Sequence, residues 1–203
     1  MGWYRTHVVP RIVNVCCGMT PAETRARVCS GLTGDVVEIG FGSGLNIPHY
    51  PATVTRVLAV EPSDTGYKIG GKRLGSTSVP VERIGLDGER LPLDDHSVDS
   101  ALSTWTMCTI PDVDAALAEL RRVLKPGGRL QFLEHGLSPD AGVEKWQHRL
   151  NGMQQRMAGG CQINRPIDRL VEAAGFRVER LENSYEKGAP KPMGYLYEGT
   201  AVA

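Results

Sequence analysis

The chain has 203 residues, enough for one domain with a substantial core, and its hydrophobic (41%) and charged (23%) fractions are those of an ordinary globular protein. Twenty-three basic and 23 acidic residues cancel, so no global field recruits nucleic acid or an anionic membrane. Cys16, Cys17, Cys29, Cys108 and Cys161 contain no C-x-x-C pair and cannot all pair internally, and no apolar stretch approaches the length of a membrane span, which together predict a reduced, cytoplasmic protein without an integral membrane segment.

Met1–Gly18 sets Trp3, Tyr4, His7, Val8, Val9, Ile12 and Val13 beside Arg5 and Arg11, and is expected to form a helix or irregular arm across the ligand edge of a sheet. Thr20-Pro21-Ala22-Glu23 has the form of a capping box, with Thr20 at the cap, Pro21 at N1 and Glu23 at N3. The helix it opens runs to about Cys29 and ends in the turns Ser30-Gly31 and Thr33-Gly34-Asp35. Val36–Asn46 carries the strongest local signal. A β-branched run ends at Glu38, and Gly40, Gly42 and Gly44 follow at alternate positions, predicting a buried parallel strand that breaks into a tight loop and a helix starting near Leu45–His49. Alternate glycines permit positive φ and let a ligand reach the backbone without meeting a Cβ. In an open α/β sheet such a loop lies at the carboxyl end of a strand, where ligands bind. The dinucleotide fingerprint G-x-G-x-x-G is not met, because Leu45 stands where its third glycine belongs.

A second strand, Val57–Val60, ends in Glu61-Pro62, and Glu61 lies 21 residues after Gly40, a suitable interval for an acid that binds a ribose diol. A nucleoside with an amino group fits these acids better than one with a diphosphate. Thr65–Gly75 holds Gly66, Gly70, Gly71 and Gly75, so its crossover helix is expected to be short or irregular. Val79–Ile84 is a third strand, opening into a loop with Asp87, Gly88 and Glu89. Val98–Thr104 is a fourth strand, followed by Trp105. Asp112–Leu124 has the apolar spacing of an amphipathic helix, ended by Lys125-Pro126-Gly127-Gly128. Arg129–His135 is a fifth strand, Glu144–Arg156 and Ile167–Ala174 are helices around a Gly159–Pro166 loop, and Phe176–Leu181 is a sixth strand. Asn183–Pro192 reads as a long hairpin connection to a seventh strand, Tyr195–Val202. Alternating strands and helices predict a three-layer α/β domain whose hairpin-connected last strand runs antiparallel.

The form E-x-G-x-G-x-G at Glu38–Gly44, together with the V-L-K-P-G-G run before the fifth strand, resembles the class I S-adenosylmethionine-dependent methyltransferases. Within them, Gly-Ser-Gly-Leu-Asn after the first strand, Thr104 with Cys108, Glu134-His135, and Gly160-Cys161-x-Ile163-x-Arg165 are similar to the small branch related to alkyl thiol methyltransferases, whose bacterial relatives are often labelled phosphatidylethanolamine methyltransferases. The resemblance implies a Rossmann-like sheet of seven mostly parallel strands over residues 35–203, with residues 1–34 as a helical cap. It implies S-adenosylmethionine as cofactor and a small-molecule methyl acceptor. The mammalian members carry an N-terminal membrane anchor, a segment not expected here.

The donor contacts that follow from the resemblance are Glu38 with the Gly40–Gly44 backbone and Asn46 for the methionine portion, Glu61 and Pro62 for the ribose, and Asp87, Gly88 and Glu89 for adenine. Thr104 and Trp105 border the sulfonium, where an aromatic face favours a cation; Trp105 is alternatively a core plug. His135, ending a strand at the ligand edge, is the candidate base for a thiol acceptor. Tyr4, His7, Cys108, Cys161, Asn164 and Arg165 are candidates for the acceptor pocket, Cys161, Asn164 and Arg165 alternatively fixing a loop. His49, His96 and His148 share no metal-ligand spacing with other residues, and no metal is expected. Alternatives to a thiol acceptor are a phospholipid or quinone at a membrane surface, a non-catalytic nucleoside-binding module, and a nicotinamide oxidoreductase. The expected state is a monomer or homodimer.

Overall fold

A computed structural model describes residues 3–85 and 87–203; Met1 and Gly2 of the opening arm, and Leu86 of the loop after the third strand, lie outside them. The chain begins with three helices, α1 (Trp3–His7), α2 (Val9–Gly18) and α3 (Ala22–Cys29). The strands β1 (Gly34–Ile39), β2 (Val54–Val60) and β3 (Val81–Gly85) follow, with α4 (Asp64–Ile69) and α5 (Gly71–Leu74) between the last two. Then come β4 (Val98–Thr104), α6 (Val113–Val123), β5 (Leu124–His135), α7 (Ala141–Met157), α8 (Ile167–Ala173), β6 (Arg177–Tyr185) and β7 (Tyr195–Val202).

The seven strands form one sheet in the order β3-β2-β1-β4-β5-β7-β6. Pairings from β3 to β5 are parallel, and β7 runs antiparallel to both its neighbours. The central strands are buried along nearly their whole length rather than at alternate residues, as expected where helices cover both faces. Successive β1 residues serve different cores: Val36 packs with Val28, Leu32, Val57 and Leu102 on one face, and Val37 with Leu117, Leu120 and Leu130 on the other. Helix α6 buries Val113, Ala116, Leu117, Leu120 and Val123, the stripe that its spacing predicts. Chain order moves outward from β1 to β3 and then resumes on the other side with β4, so the sheet has its topological switch between β1 and β4. The crevice at their carboxyl ends is where such a sheet receives ligands.

Four local expectations are corrected. The capping box does not form: Pro21 stands at the cap position without a side-chain hydrogen bond, and the Thr20 hydroxyl is buried without a partner. Beyond the glycine loop only a 3-10 turn forms, at Ile47–His49, since Pro48 and Pro51 leave no room for a longer helix. Lys125–Gly128 does not separate helix from strand but bulges within β5, where the pairing with β4 slips between Val98 and Ser100 and Gly127 takes φ +78. The last hairpin is shorter than predicted because β6 continues to Tyr185. The crossover at Thr65–Gly75 is broken into two short helices, as its glycines require.

Gly199 on β7 pairs with Phe132 on β5, and a Cβ there would lie 2.3 Å from the Phe132 ring and 2.9 Å from the Arg180 carbonyl oxygen. Gly199→Ala is therefore expected to cost about 1–3 kcal/mol of stability through overpacking, read from urea unfolding; an unchanged midpoint would mean that Phe132 turns aside freely.

Candidate active site

The glycine loop leaves β1 with φ of +68 at Gly40, +58 at Gly42 and +69 at Gly44. Gly40 has no room for a side chain, since a Cβ would meet the Thr106 side chain at 1.9 Å, whereas at Gly42 only the Gly40 carbonyl oxygen lies within 4 Å. The first glycine thus lets the loop press on the chain after β4, and the second keeps open the space above it. The loop amides are largely engaged: Gly40 and Phe41 donate to the Val60 carbonyl, Gly44 to Phe41, and Gly42 to Glu61 Oε2 at 2.6 Å. Such a loop does not present the fan of free N–H groups that a diphosphate needs. Glu61 also accepts from the Ser63 amide at 2.7 Å; burial raises its carboxyl, and these two backbone donors oppose the shift.

Glu38 is wholly buried at the end of β1. It accepts from Asn46 Nδ2 at 2.9 Å and from the Tyr50 hydroxyl. Asn46 Nδ2 also donates to Thr104 Oγ1 at 2.9 Å, and Asn46 Oδ1 accepts from Arg25 at 2.6 Å. Arg25 in turn donates to the Cys17 carbonyl at 2.6 Å. One network therefore joins β1, the glycine loop, the end of β4 and the N-terminal helices. Ser43, which donates to Asn14 Oδ1 at 2.6 Å, ties the loop to α2 a second time. Sequence spacing gives no sign of Arg25 or Tyr50, because each reaches the site from a separate element.

A second buried carboxylate, Glu134, organises the chain after β4. It accepts from Ser103 Oγ at 2.7 Å and from the amides of Thr106 and Cys108 at 3.0 and 3.2 Å. These bonds hold Trp105 at φ +57, a conformation that costs a bulky residue on the order of 1–3 kcal/mol. The Trp105 ring lies against His135, centroids 4.4 Å apart, and its indole N–H is buried without a partner. The ring also packs partly on the core cluster of Leu102 and Leu133, and a buried donor without a partner has an unused hydrogen bond to offer a ligand.

The remaining candidates divide. Cys108 and Cys161 come together with their sulfurs 3.7 Å apart. The hydrogen-bond contact with Cys161, and then burial, raises the Cys108 thiol, whereas the same contact lowers Cys161. Arg165 is buried and its guanidinium donates to the carbonyls of Met107 and Pro111, the loop-fixing alternative. Asn164 turns to His148 at 3.1 Å. Asp87 is exposed and accepts from the Glu89 amide at 2.9 Å, Glu89 accepts from the Asp112 amide at 2.9 Å, Gly88 sits over Ile39 and Ile110, and Pro62 is exposed. Tyr4 is exposed on α1, where the His7 ring lies 5.4 Å from that of Trp3.

A strand-loop switch point with an acid at each of the first two strand ends defines a Rossmann-like, nucleoside-binding α/β fold. Residues 37–132 match the family model for a methyltransferase domain. The chain is 32% identical over 171 residues to thiol S-methyltransferase TMT1B of Rattus norvegicus, covering 82% of this chain and 68% of that protein. A geranyl diphosphate methyltransferase solved in complex with S-adenosylmethionine superposes with a TM-score of 0.69 at 16% identity, covering 89% of this chain and 83% of its own. A methyltransferase from Methanosarcina mazei gives 0.63 at 16% identity over 83% of this chain and 91% of that one. The chain belongs to the class I S-adenosylmethionine-dependent methyltransferases and is related to the thiol S-methyltransferases.

Burial moves the Glu38 carboxyl up from 4.5 to about 7, with Tyr50, Asn46 and Arg25 pulling it down. Between those values the folded chain keeps a proton that the unfolded chain has released. Stability is therefore expected to fall by on the order of 3 kcal/mol as pH rises from about 4.5 to about 7, and to be flat above. Urea unfolding of wild type and Glu38→Gln across this window checks it: the variant gains on the wild type as pH rises. A constant difference would mean that Glu38 is ionised throughout.

Proposed function

We propose that the enzyme methylates a thiol, or another soft nucleophile, on a small molecule. The observation that carries this is the pairing of a glycine loop with engaged amides and a Trp105–His135 contact at the same sheet edge. The relationship to the thiol S-methyltransferase supports it further. S-adenosylmethionine supplies an electrophilic methyl group on a sulfonium, so the chain's task is to align, desolvate and manage one proton.

Gly40–Gly44, Glu38 and Asn46 bracket the methionine portion; the last two act by fixing the loop, because their polar atoms are already paired. Glu61 receives the ribose hydroxyls with Pro62 beside it, exchanging or sharing its bonds to Gly42 and Ser63. Asp87, Gly88 and Glu89 flank adenine. Thr104 and Trp105 border the sulfonium, and the indole face favours its charge. His135 takes the proton of the acceptor thiol on an imidazole nitrogen; a free thiol ionises near pH 8.5, so a modest assist suffices at neutrality. Cys108 and Cys161 wall the acceptor side, Arg165 braces it, and Asn164 lies at its rim. Residues 3–34, with Tyr4 and His7, form a cap: Asn14 and Arg25 hold the glycine loop, and Val9 packs where Gly159 lacks a Cβ.

A second reading, methylation of a phospholipid or quinone at a membrane surface, is favoured by one observation. Trp3 (71% exposed), Val15 (63%) and Met19 (71%) lie on or beside α1 and α2, in a stretch that has no acidic residue before Glu23. Among the described residues no helix is long and apolar enough to cross a membrane. Co-sedimentation with anionic vesicles separates the two readings, since only the second requires it.

Calorimetric titration with S-adenosylmethionine and S-adenosylhomocysteine is expected to give saturable binding that Glu61→Ala weakens by about 10-fold to 100-fold, the worth of hydrogen bonds to a charged group. Absence of binding would overturn the donor site. With alkyl thiols, His135→Asn is expected to lower kcat at pH 7, and the deficit should shrink above about pH 8.5, where thiols ionise unaided. A deficit that is constant with pH would remove His135 as the base.

A further inference from the structure

We propose that Cys108, His135 and Cys161 form a binding site for a soft divalent cation, with zinc the ion that suits the donor set. Cys108 comes from the turn after β4, His135 from the end of β5, and Cys161 from the loop between α7 and α8. One donor atom from each lies within 4.8 Å of the other two. Thiolates bound at about 2.3 Å on a tetrahedral ion stand about 3.8 Å apart, and the two sulfurs are 3.7 Å apart. An imidazole nitrogen on the same ion would lie about 3.6 Å from each sulfur, within reach of a small rotation of His135, which is half-buried.

The surroundings suit a metal. Both cysteines are buried, and two thiolates balance a divalent charge, so the loaded site is neutral overall. Thiolate and imidazole donors select soft and borderline ions over magnesium or calcium. Cys108 is held in place through its amide by Glu134, whose oxygens are occupied by Ser103, Thr106 and Cys108. The Cys161 loop is held because the Gln162 amide donates to the Cys108 carbonyl at 2.7 Å. Among the described residues no fourth histidine, cysteine or acid joins the group. Three protein ligands and one open position is the arrangement of metal sites that take an external ligand.

The site follows from geometry; its consequence rests on the thiol-methylation proposal. An acceptor thiol at the open position would lose its S–H bond as the sulfur–metal bond forms, and the proton would leave to solvent. The His135 lone pair cannot ligate and accept a proton at once, so in the loaded chain the ion replaces His135 in ionising the acceptor.

The test is titration of the reduced, chelator-treated full chain with cobalt(II). The expected result is a thiolate-to-cobalt charge-transfer band with intense visible bands of a tetrahedral ion, displaced by zinc(II). Cys108→Ser, Cys161→Ser and His135→Asn should each lower zinc affinity by more than about 100-fold, beyond the loss of a supporting hydrogen bond, whereas Cys16→Ser, at an exposed thiol, should not. Absence of the band in the wild type, or its survival in both Cys108→Ser and Cys161→Ser, overturns the site. S-adenosylmethionine titration of the same preparations keeps the failures apart. A chain that binds the nucleoside but no cobalt loses only the metal site, and one that shows the cobalt band without binding the nucleoside retains the metal site and loses the donor site.

Discussion

A carboxyl group taken fully out of water at the end of β1 is the constraint on which the ligand edge depends. Glu38 is tolerable there only because Asn46 and Tyr50 donate to it, since a buried acid without partners carries a desolvation cost of several kcal/mol. Asn46 has too few atoms for one task alone. Its amide nitrogen also reaches Thr104 and its oxygen takes Arg25, so satisfying one acid fixes the glycine loop against β4 and fastens the N-terminal helices over it.

Glu134 has the corresponding role at the end of β5. It binds the chain leaving β4 through Ser103, Thr106 and Cys108, and so maintains a left-handed Trp105 that would otherwise relax. In that conformation the indole lies against His135, and, three residues on, Cys108 meets Cys161. The two acids divide the work: Glu38 shapes the side of the glycine loop, and Glu134 shapes the side of His135 and the paired cysteines.

The flanking charges matter less. Arg56–Asp35, Arg83–Asp64 and Lys125–Asp99 each include an exposed or half-exposed partner, where an ion pair contributes little. The exception in placement is Glu198, buried on β7 and shared by Arg27 of α3 and Arg180 of β6. It binds the antiparallel edge to a helix of the N-terminal segment, away from the glycine loop.

Local patterning was enough to establish the strands, their succession along the chain, the glycine loop and its acids, because these depend on periodicity, β-branching and the special φ of glycine, which neighbours within a few residues dictate. It also marked His135, Cys108 and Cys161 one by one. What those residues meet was settled by tertiary packing. Arg25, Tyr50 and Thr106 carry no local signature, and Arg165 reads equally as a pocket wall or a loop brace until its carbonyl partners are seen. The capping box failed for a related reason: the motif is local, but Thr20 is buried where its hydroxyl reaches no amide. A hydrogen bond or a ligand set between elements is fixed by packing across the sheet, and sequence separation holds no record of that distance.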